Sequence, residues 1–170
     1  MSSLVRSEVE GLGLDMTSKT PVLVLKPFDK EDRRILVIWI GPFEASSIST
    51  ILMGLTGRRP STYDLLLSAI NRCGAGLDRI SITELKDETY YAKLHLVMGD
   101  LKLDVDARPS DAVALALKAG VHIFIESVLF KADDSPAEEE PQRRQPESPD
   151  ALKERLRQID PEDLGRFHMQ

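Results

Sequence analysis

The chain has 170 residues, 42% of them apolar and 5% aromatic, with 22 basic and 28 acidic side chains and a formal net charge of −6; this is the balance of a soluble globular chain with enough apolar surface for one core. No run of about 18 apolar residues is present to cross a membrane, and the opening MSSLVRSEVEGLG lacks the basic start and apolar centre of a secretory signal. A single cysteine, Cys73, supports neither a disulfide framework nor a zinc cluster, so a reducing cytoplasm is the expected location.

In chain order, residues 4 to 14 and 21 to 26 read as strands. The continuous apolar run ILVIWI at 35 to 40 predicts a strand covered on both faces, stopped by Gly41-Pro42. A helix then runs to about Leu55, with Ile48, Ile51, Leu52 and Leu55 on one side. A second helix is predicted from Thr62 to Cys73. Tyr63, Leu66, Ile70 and Cys73 form its inner face, and Gly74 and Gly76 give its left-handed end. On that face Cys73 is expected as a buried structural thiol rather than a nucleophile.

Strands return at 77 to 85, 90 to 98 and 101 to 107. Gly99-Asp100 makes a two-residue hairpin loop between the last two. That loop sets Met98 opposite Leu101, His95 opposite Asp104, Lys93 opposite Asp106 and Tyr91 opposite Arg108. A third helix, Pro109 to Ala119, is apolar on nearly every side and so should be deeply buried, with Gly120 ending it. Residues 122 to 130 give the last strand.

Composition changes after Lys131. The stretch 132–149 is rich in proline and charge and reads as a flexible linker. Residues 150–170 follow as a short amphipathic helical tail, opened by Ser148-Pro149-Asp150 and striped by Leu152, Leu156 and Ile159. Such a helix is marginal alone, so it is expected to contact the body, a neighbouring subunit or another protein. The 40 residues from 131 onward hold 7 of the basic and 11 of the acidic side chains, leaving 15 and 17 on the body. A body so near neutrality lacks the field that holds nucleic acid by counterion release alone; phosphate binding there requires a local basic patch or a metal ion.

Two helix starts resemble each other: Gly41-Pro42-Phe43-Glu44-Ala45, and Arg108-Pro109-Ser110-Asp111-Ala112. Each follows a run of three strands. The expected fold is therefore α+β: a duplicated βββα unit, roughly 4 to 56 and 77 to 119, forming a mixed, mainly antiparallel sheet packed by three helices. Proline at the first helical position pre-sets φ, and the acid two residues later lies beside unpaired amides at the positive end of the helix dipole. Capping alone accounts for Glu44 and Asp111. A pseudo-twofold would in addition bring both acids and Arg108 into one cleft. Asp106, Asp111 and Glu44 offer oxygen ligands for Mg²⁺ or Mn²⁺, although Lys93–Asp106 and His95–Asp104 also read as exposed cross-strand pairs. Arg58 and Arg59 lie at a bend between helices, where they are either solvated or aimed at phosphate. Ser110 has no histidine base in its neighbourhood of sequence, so a serine triad is not expected there.

Three motifs in order carry a resemblance: Ile38-Trp39-Ile40-Gly41-Pro42-Phe43-Glu44-Ala45, Arg59-Pro60-Ser61-Thr62-Tyr63-Asp64-Leu65, and Asp106-Ala107-Arg108-Pro109-Ser110-Asp111-Ala112-Val113-Ala114-Leu115-Ala116. From about residue 4 to 130 the chain resembles the bifunctional nuclease family. The resemblance implies an α+β domain and, as in some plant members, cleavage of both RNA and DNA. On that basis Glu44, Asp64, Arg108 and Asp111 are the catalytic candidates, and Arg58, Arg59, Tyr63 and Ser110 the substrate-binding ones. Glu44, Asp106 and Asp111 are the metal candidates. The expected partners are single-stranded nucleic acid and further copies of the chain. The family's middle motif usually reads Arg-Pro-x-Thr-His-Asp-Leu, and here Tyr63 stands at the histidine. Tyrosine is a poor general base or metal ligand near neutral pH. A second expectation stands beside the enzyme: an oligomeric binding or regulatory module that keeps the fold without catalysis.

Overall fold

Alternation of apolar and polar residues decides where the sheet lies. A computed structural model of the chain describes residues 3–132, and the expected linker and tail helix lie outside these residues. Three strands, β1 (Leu4–Leu14), β2 (Pro21–Pro27) and β3 (Arg34–Trp39), lead into helix α1 (Pro42–Leu52). Helix α2 (Thr62–Arg72) follows. Then β4 (Gly76–Lys86), β5 (Thr89–Met98) and β6 (Leu101–Ala107) lead into α3 (Pro109–Ala119), and the chain continues through β7 (His122–Glu126), one 3-10 turn (Ser127–Leu129) and β8 (Lys131–Ala132). The βββα unit thus occurs twice with α2 between the copies, and the fold is α+β. Among the described residues no helix is long and apolar enough to cross a membrane.

The eight strands form one sheet in the order β6-β5-β4-β7-β1-β2-β3-β8. The final long strand does not close an edge. It lies between the first strands of the two repeats, antiparallel to β1 and parallel to β4. Strands β1 and β4 therefore run in opposite directions, as a twofold axis normal to the sheet at β7 requires. Such an axis keeps both repeat helices on one face, and α1 packs against α3 there. Leu23, Leu25, Leu36, Ile38, Ile80, Ile82, Ile123 and Ile125 point from the sheet into the core that these helices cover.

Helix α3 is the centre of that core. Ala112, Val113, Ala114, Leu115 and Ala116 are all buried, and the short alanine side chains among them let the helix lie close to β4 and β5. Gly120 closes it with φ of 68°, a conformation that a side chain would strain. The β5–β6 hairpin has the expected register: Met98 opposite Leu101, His95 opposite Asp104 and Lys93 opposite Asp106. Gly99 supplies the positive φ of its two-residue turn. Pairing stops at Ala92–Ala107, because Arg108 has already become the N-cap of α3.

Several expectations are corrected. Strand β3 is covered on one face only. Leu36, Ile38 and Ile40 are buried, whereas Trp39, on the opposite side, is 57% exposed, since the three helices of the described residues lie on the core face. Helix α1 ends at Leu52, and both Leu52 and Leu55 are exposed. Helix α2 buries no residue fully. It lies against α3 and β4 at the rim, with Tyr63, Leu67 and Ile70 turned inward and Leu66 outward. Cys73 is exposed rather than buried, because it caps the helix one residue past the last turn and leaves the inward stripe. Gly74 alone takes the left-handed conformation there, and Gly76 opens β4.

The folded protein should therefore react stoichiometrically through Cys73 with an aromatic disulfide reagent, at a rate within about tenfold of the urea-unfolded chain. Protection by several orders of magnitude would place the thiol inside.

Candidate functional site at the paired helix starts

Each repeat delivers one carboxylate to the start of its helix by the same local rule. Gly41 caps α1, Pro42 takes the first helical position and Glu44 the third. Arg108 caps α3, with Pro109 and Asp111 in the corresponding places. Neither cap residue bonds the helix amides through its side chain, so the Arg108 side chain is available to reach outward. It bridges the two repeats. Its Nη1 lies 2.8 Å from Glu44 Oε1 and its Nε 2.7 Å from Asp111 Oδ2, and its Nη2 donates to Asp111 Oδ1 at 3.1 Å. The guanidinium is 65% exposed, against 18% for the Glu44 side chain. Both carboxylates hold the guanidinium pKa above its ordinary value, Asp111 most strongly, so Arg108 is a permanent cation.

Helix α2 completes the arrangement. Tyr63 donates its hydroxyl to Asp111 Oδ1 at 3.0 Å. Burial first, then this bond and the negative charge around it, push the phenol pKa up to about 12. Tyr63 is therefore a neutral donor and no base near neutral pH. Asp64 lies at the third position of α2 and forms a reciprocal capping box with Ser61. Its Oδ2 accepts from the Ser61 amide at 2.8 Å and hydroxyl at 2.6 Å. Its Oδ1 accepts from Lys118 at 2.7 Å. Lys118 and Ser61 together hold the Asp64 pKa down to about 2.

These groups line a cleft of about 560 Å³, together with Phe43, Ser46, Ser47, Thr50, Ile51 and Arg59. The sequence candidates Glu44, Tyr63, Asp64, Arg59, Arg108 and Asp111 are thus brought together. Three candidates lie elsewhere. Arg58 does not line the cleft. Asp106 is on edge strand β6, opposite Lys93 and exposed, so it does not join Glu44 and Asp111 in a ligand set. Ser110 is buried and faces a second, smaller depression. Lys118 was not among the sequence candidates, although its spacing of seven from Asp111 places both on one stripe of α3. Ser46, Ser47 and Thr50 follow Phe43 along α1 in the same way, and the hydroxyls of Ser47 and Thr50 bond back to the carbonyls of Phe43 and Ser46.

The donor set does not form a ready cation cradle. Glu44 and Asp111 are already neutralised by Arg108, Asp64 by Lys118, and no cluster of three or more His, Cys, Asp or Glu side chains suited to a metal occurs among the described residues. A divalent ion could use the carboxylates only by displacing the guanidinium. A file of hydrogen bonds from Ser81 through His95 to Asp104 lies across β4, β5 and β6, at 2.8 and 2.7 Å. Ser81 is almost wholly buried, which leaves its hydroxyl no room to attack a substrate, and the file serves to fix strand register.

The Asp64–Lys118 contact makes an acid-limb prediction. A carboxyl whose folded pKa lies below its ordinary 3.8 contributes stability above that value and loses it as pH falls toward about 2. Solvent screening keeps the contribution below about 1 kcal/mol. Urea titrations of wild type and Asp64→Asn should differ at pH 6 and converge at pH 2; a difference independent of pH would remove the ion pair from the account.

The model of the bifunctional nuclease domain matches residues 23–138. Two uncharacterized Mycobacterium tuberculosis proteins, from different strains, are 36% identical over 162 residues, covering 92% of this chain and 95% of theirs. Bifunctional nuclease 1 of Oryza sativa subsp. indica is 30% identical over 108 residues, which is 61% of this chain but 32% of the rice protein. The fold, the repeated helix starts and the matched segment together place this chain in the bifunctional nuclease domain family.

Proposed function

We propose that the protein is a nuclease that hydrolyses phosphodiesters of single-stranded RNA or DNA with little sequence preference. The observation that carries this reading is Arg108 held between Glu44 and Asp111 at the mouth of an open cleft. Family membership and the name of the rice relative support the reaction class.

The hydrogen bonds divide the roles. Both oxygens of Asp111 are engaged, by Arg108 and by Tyr63. Glu44 meets Arg108 through Oε1, and its other oxygen, Oε2, lies over Gly41, where an added Cβ would strike it. Glu44 is therefore the better base: its Oε2 takes the proton of a water whose oxygen attacks phosphorus. Arg108 offers its remaining N–H groups to the charge that develops on the phosphoryl oxygens as the bond from phosphorus to the leaving oxygen breaks, and that oxygen departs as an alcohol on taking a proton from solvent. Asp111 and Tyr63 fix the guanidinium in place. Asp64 and Lys118 hold α2 against α3 and so keep Tyr63 in position.

Metal dependence belongs to the same proposal. Mg²⁺ or Mn²⁺ could be held by Glu44 and Asp111 only in place of the Arg108 guanidinium, so a metal requirement and the role given to Arg108 are alternatives within this reading. A second reading, a binding module without catalysis, is favoured by Tyr63 at the family's histidine position and by the pairing of the cleft's acids with its cations.

Purified protein should cleave labelled single-stranded RNA and DNA. Glu44→Gln should slow cleavage by about 10²–10⁴-fold, and Arg108→Ala by about 10²-fold or more. Gly41→Ala, which forces the Glu44 carboxylate aside, should slow it without altering the charge of the cleft. Parallel reactions with Mg²⁺, Mn²⁺ and EDTA decide the metal question. Equal cleavage by wild type and Glu44→Gln rejects this site. Activity that appears only in Tyr63→His favours the binding module.

A further inference from the structure

The Glu44–Arg108 pair lines two depressions. On one side is the cleft already described. On the other is a depression of about 280 Å³, bounded by Trp39, Gly41, Glu88, Tyr90 and Ser110 as well as Glu44 and Arg108. Each side has an exposed aromatic residue among those that line it. Phe43, 84% exposed, lines the first cleft, and Trp39 lines the second.

Trp39 is held there. Its indole N–H donates to Asp15 Oδ2 at 3.0 Å. Asp15 is itself fixed by the amide of Thr17 at 2.9 Å and the hydroxyl of Ser18 at 2.9 Å. The only polar atom of the indole is thereby satisfied, while more than half of the residue remains in solvent. Across the depression the turn between β4 and β5 places Asp87 and Glu88 at φ of 48° and 60°. Such a turn usually takes Asn-Gly, and two acidic residues adopt it only at a conformational cost. This strained pair brings Glu88 to the rim.

We propose that the second depression is a nucleobase subsite, in which Trp39 stacks on a base next to a phosphodiester held at Arg108. Phe43 receives the base on the other side of the same phosphate. The proposal rests on the nuclease reading and deepens it: the ligand is a single strand with at least two unpaired bases, because a duplex keeps its bases from both rings. Stacking of this kind is tolerant of sequence, since every base has a π-face.

The protein has one tryptophan, so its emission reports this subsite directly. The full chain is titrated with a phosphorothioate-linked single-stranded oligothymidylate, and binding is followed in parallel by anisotropy of the labelled strand. Binding should quench the emission, and an abasic oligomer of equal length should leave it unchanged. Trp39→Leu should weaken the oligothymidylate by about tenfold, and Trp39→Phe, which keeps a ring, should restore most of the loss. Binding that leaves the emission unmoved, or equal quenching by the abasic oligomer, overturns the subsite while the nuclease reading stands. Absence of any oligonucleotide binding overturns both.

Discussion

Two carboxylates at the starts of two packed helices repel each other unless a cation lies between them, and Arg108 is that cation. The repeat explains why the acids meet. Each is placed at the third helical position, where free amides and the helix dipole favour negative charge. The twofold relation about β7 then puts both helices on one face of the sheet. The duplicated copies differ where it matters. The first repeat has Gly41 at its cap and the second has Arg108. One copy supplies the guanidinium and the other supplies the space over which the Glu44 carboxylate folds. A strictly symmetric pair of arginines would put two cations in that space.

Capping and a shared cleft are therefore not rival accounts of Glu44 and Asp111. The dipole places the acids, and the arginine turns them toward a common opening. The inserted helix α2 adds the third wall through two bonds to α3, Tyr63 to Asp111 and Asp64 to Lys118. These bonds come from successive residues at the start of α2 and from residues two turns apart on α3. The buried helix thus carries on its one polar stripe the groups that locate a helix with no fully buried residue of its own.

The βββα duplication, the buried α3 and the hairpin register were legible in the residues, because short-range rules set them: proline at a helix start, glycine at a turn and alternation along a strand. The meeting of Glu44, Arg108 and Asp111 followed from the same repeat. What the residues did not disclose depends on which elements lie against which. ILVIWI has the composition of a strand covered twice, but all three helices lie on one face, which leaves Trp39 in solvent. Cys73 continues an apolar spacing, yet the helix ends before it. Asp106 is near Asp111 in sequence, but the strand ends between them and carries it to the sheet edge. Lys118 does not stand out in the sequence, because a lysine in a last helical turn is the ordinary partner of the helix dipole, and only the position of α2 gives it Asp64.

Charge compensation in the cleft shapes what it can bind. Glu44 and Asp111 share Arg108, and Asp64 takes Lys118, so among the described residues Arg59 is the lining cation without a carboxylate partner in the cleft. A phosphate arriving there meets hydrogen-bond donors rather than a strong positive field. On the nuclease reading proposed above, counterion release would be a small part of the affinity, and the remainder would come from directional bonds and from apolar contact. The exposed residues Phe43 and Trp39, in the linings of the two depressions that share Arg108, would meet that requirement. On the proposal that Trp39 and Phe43 receive bases, a neutral cleft between them would favour a flexible strand whose bases can turn outward over a duplex, whose bases are stacked away and whose attraction is chiefly to its charge.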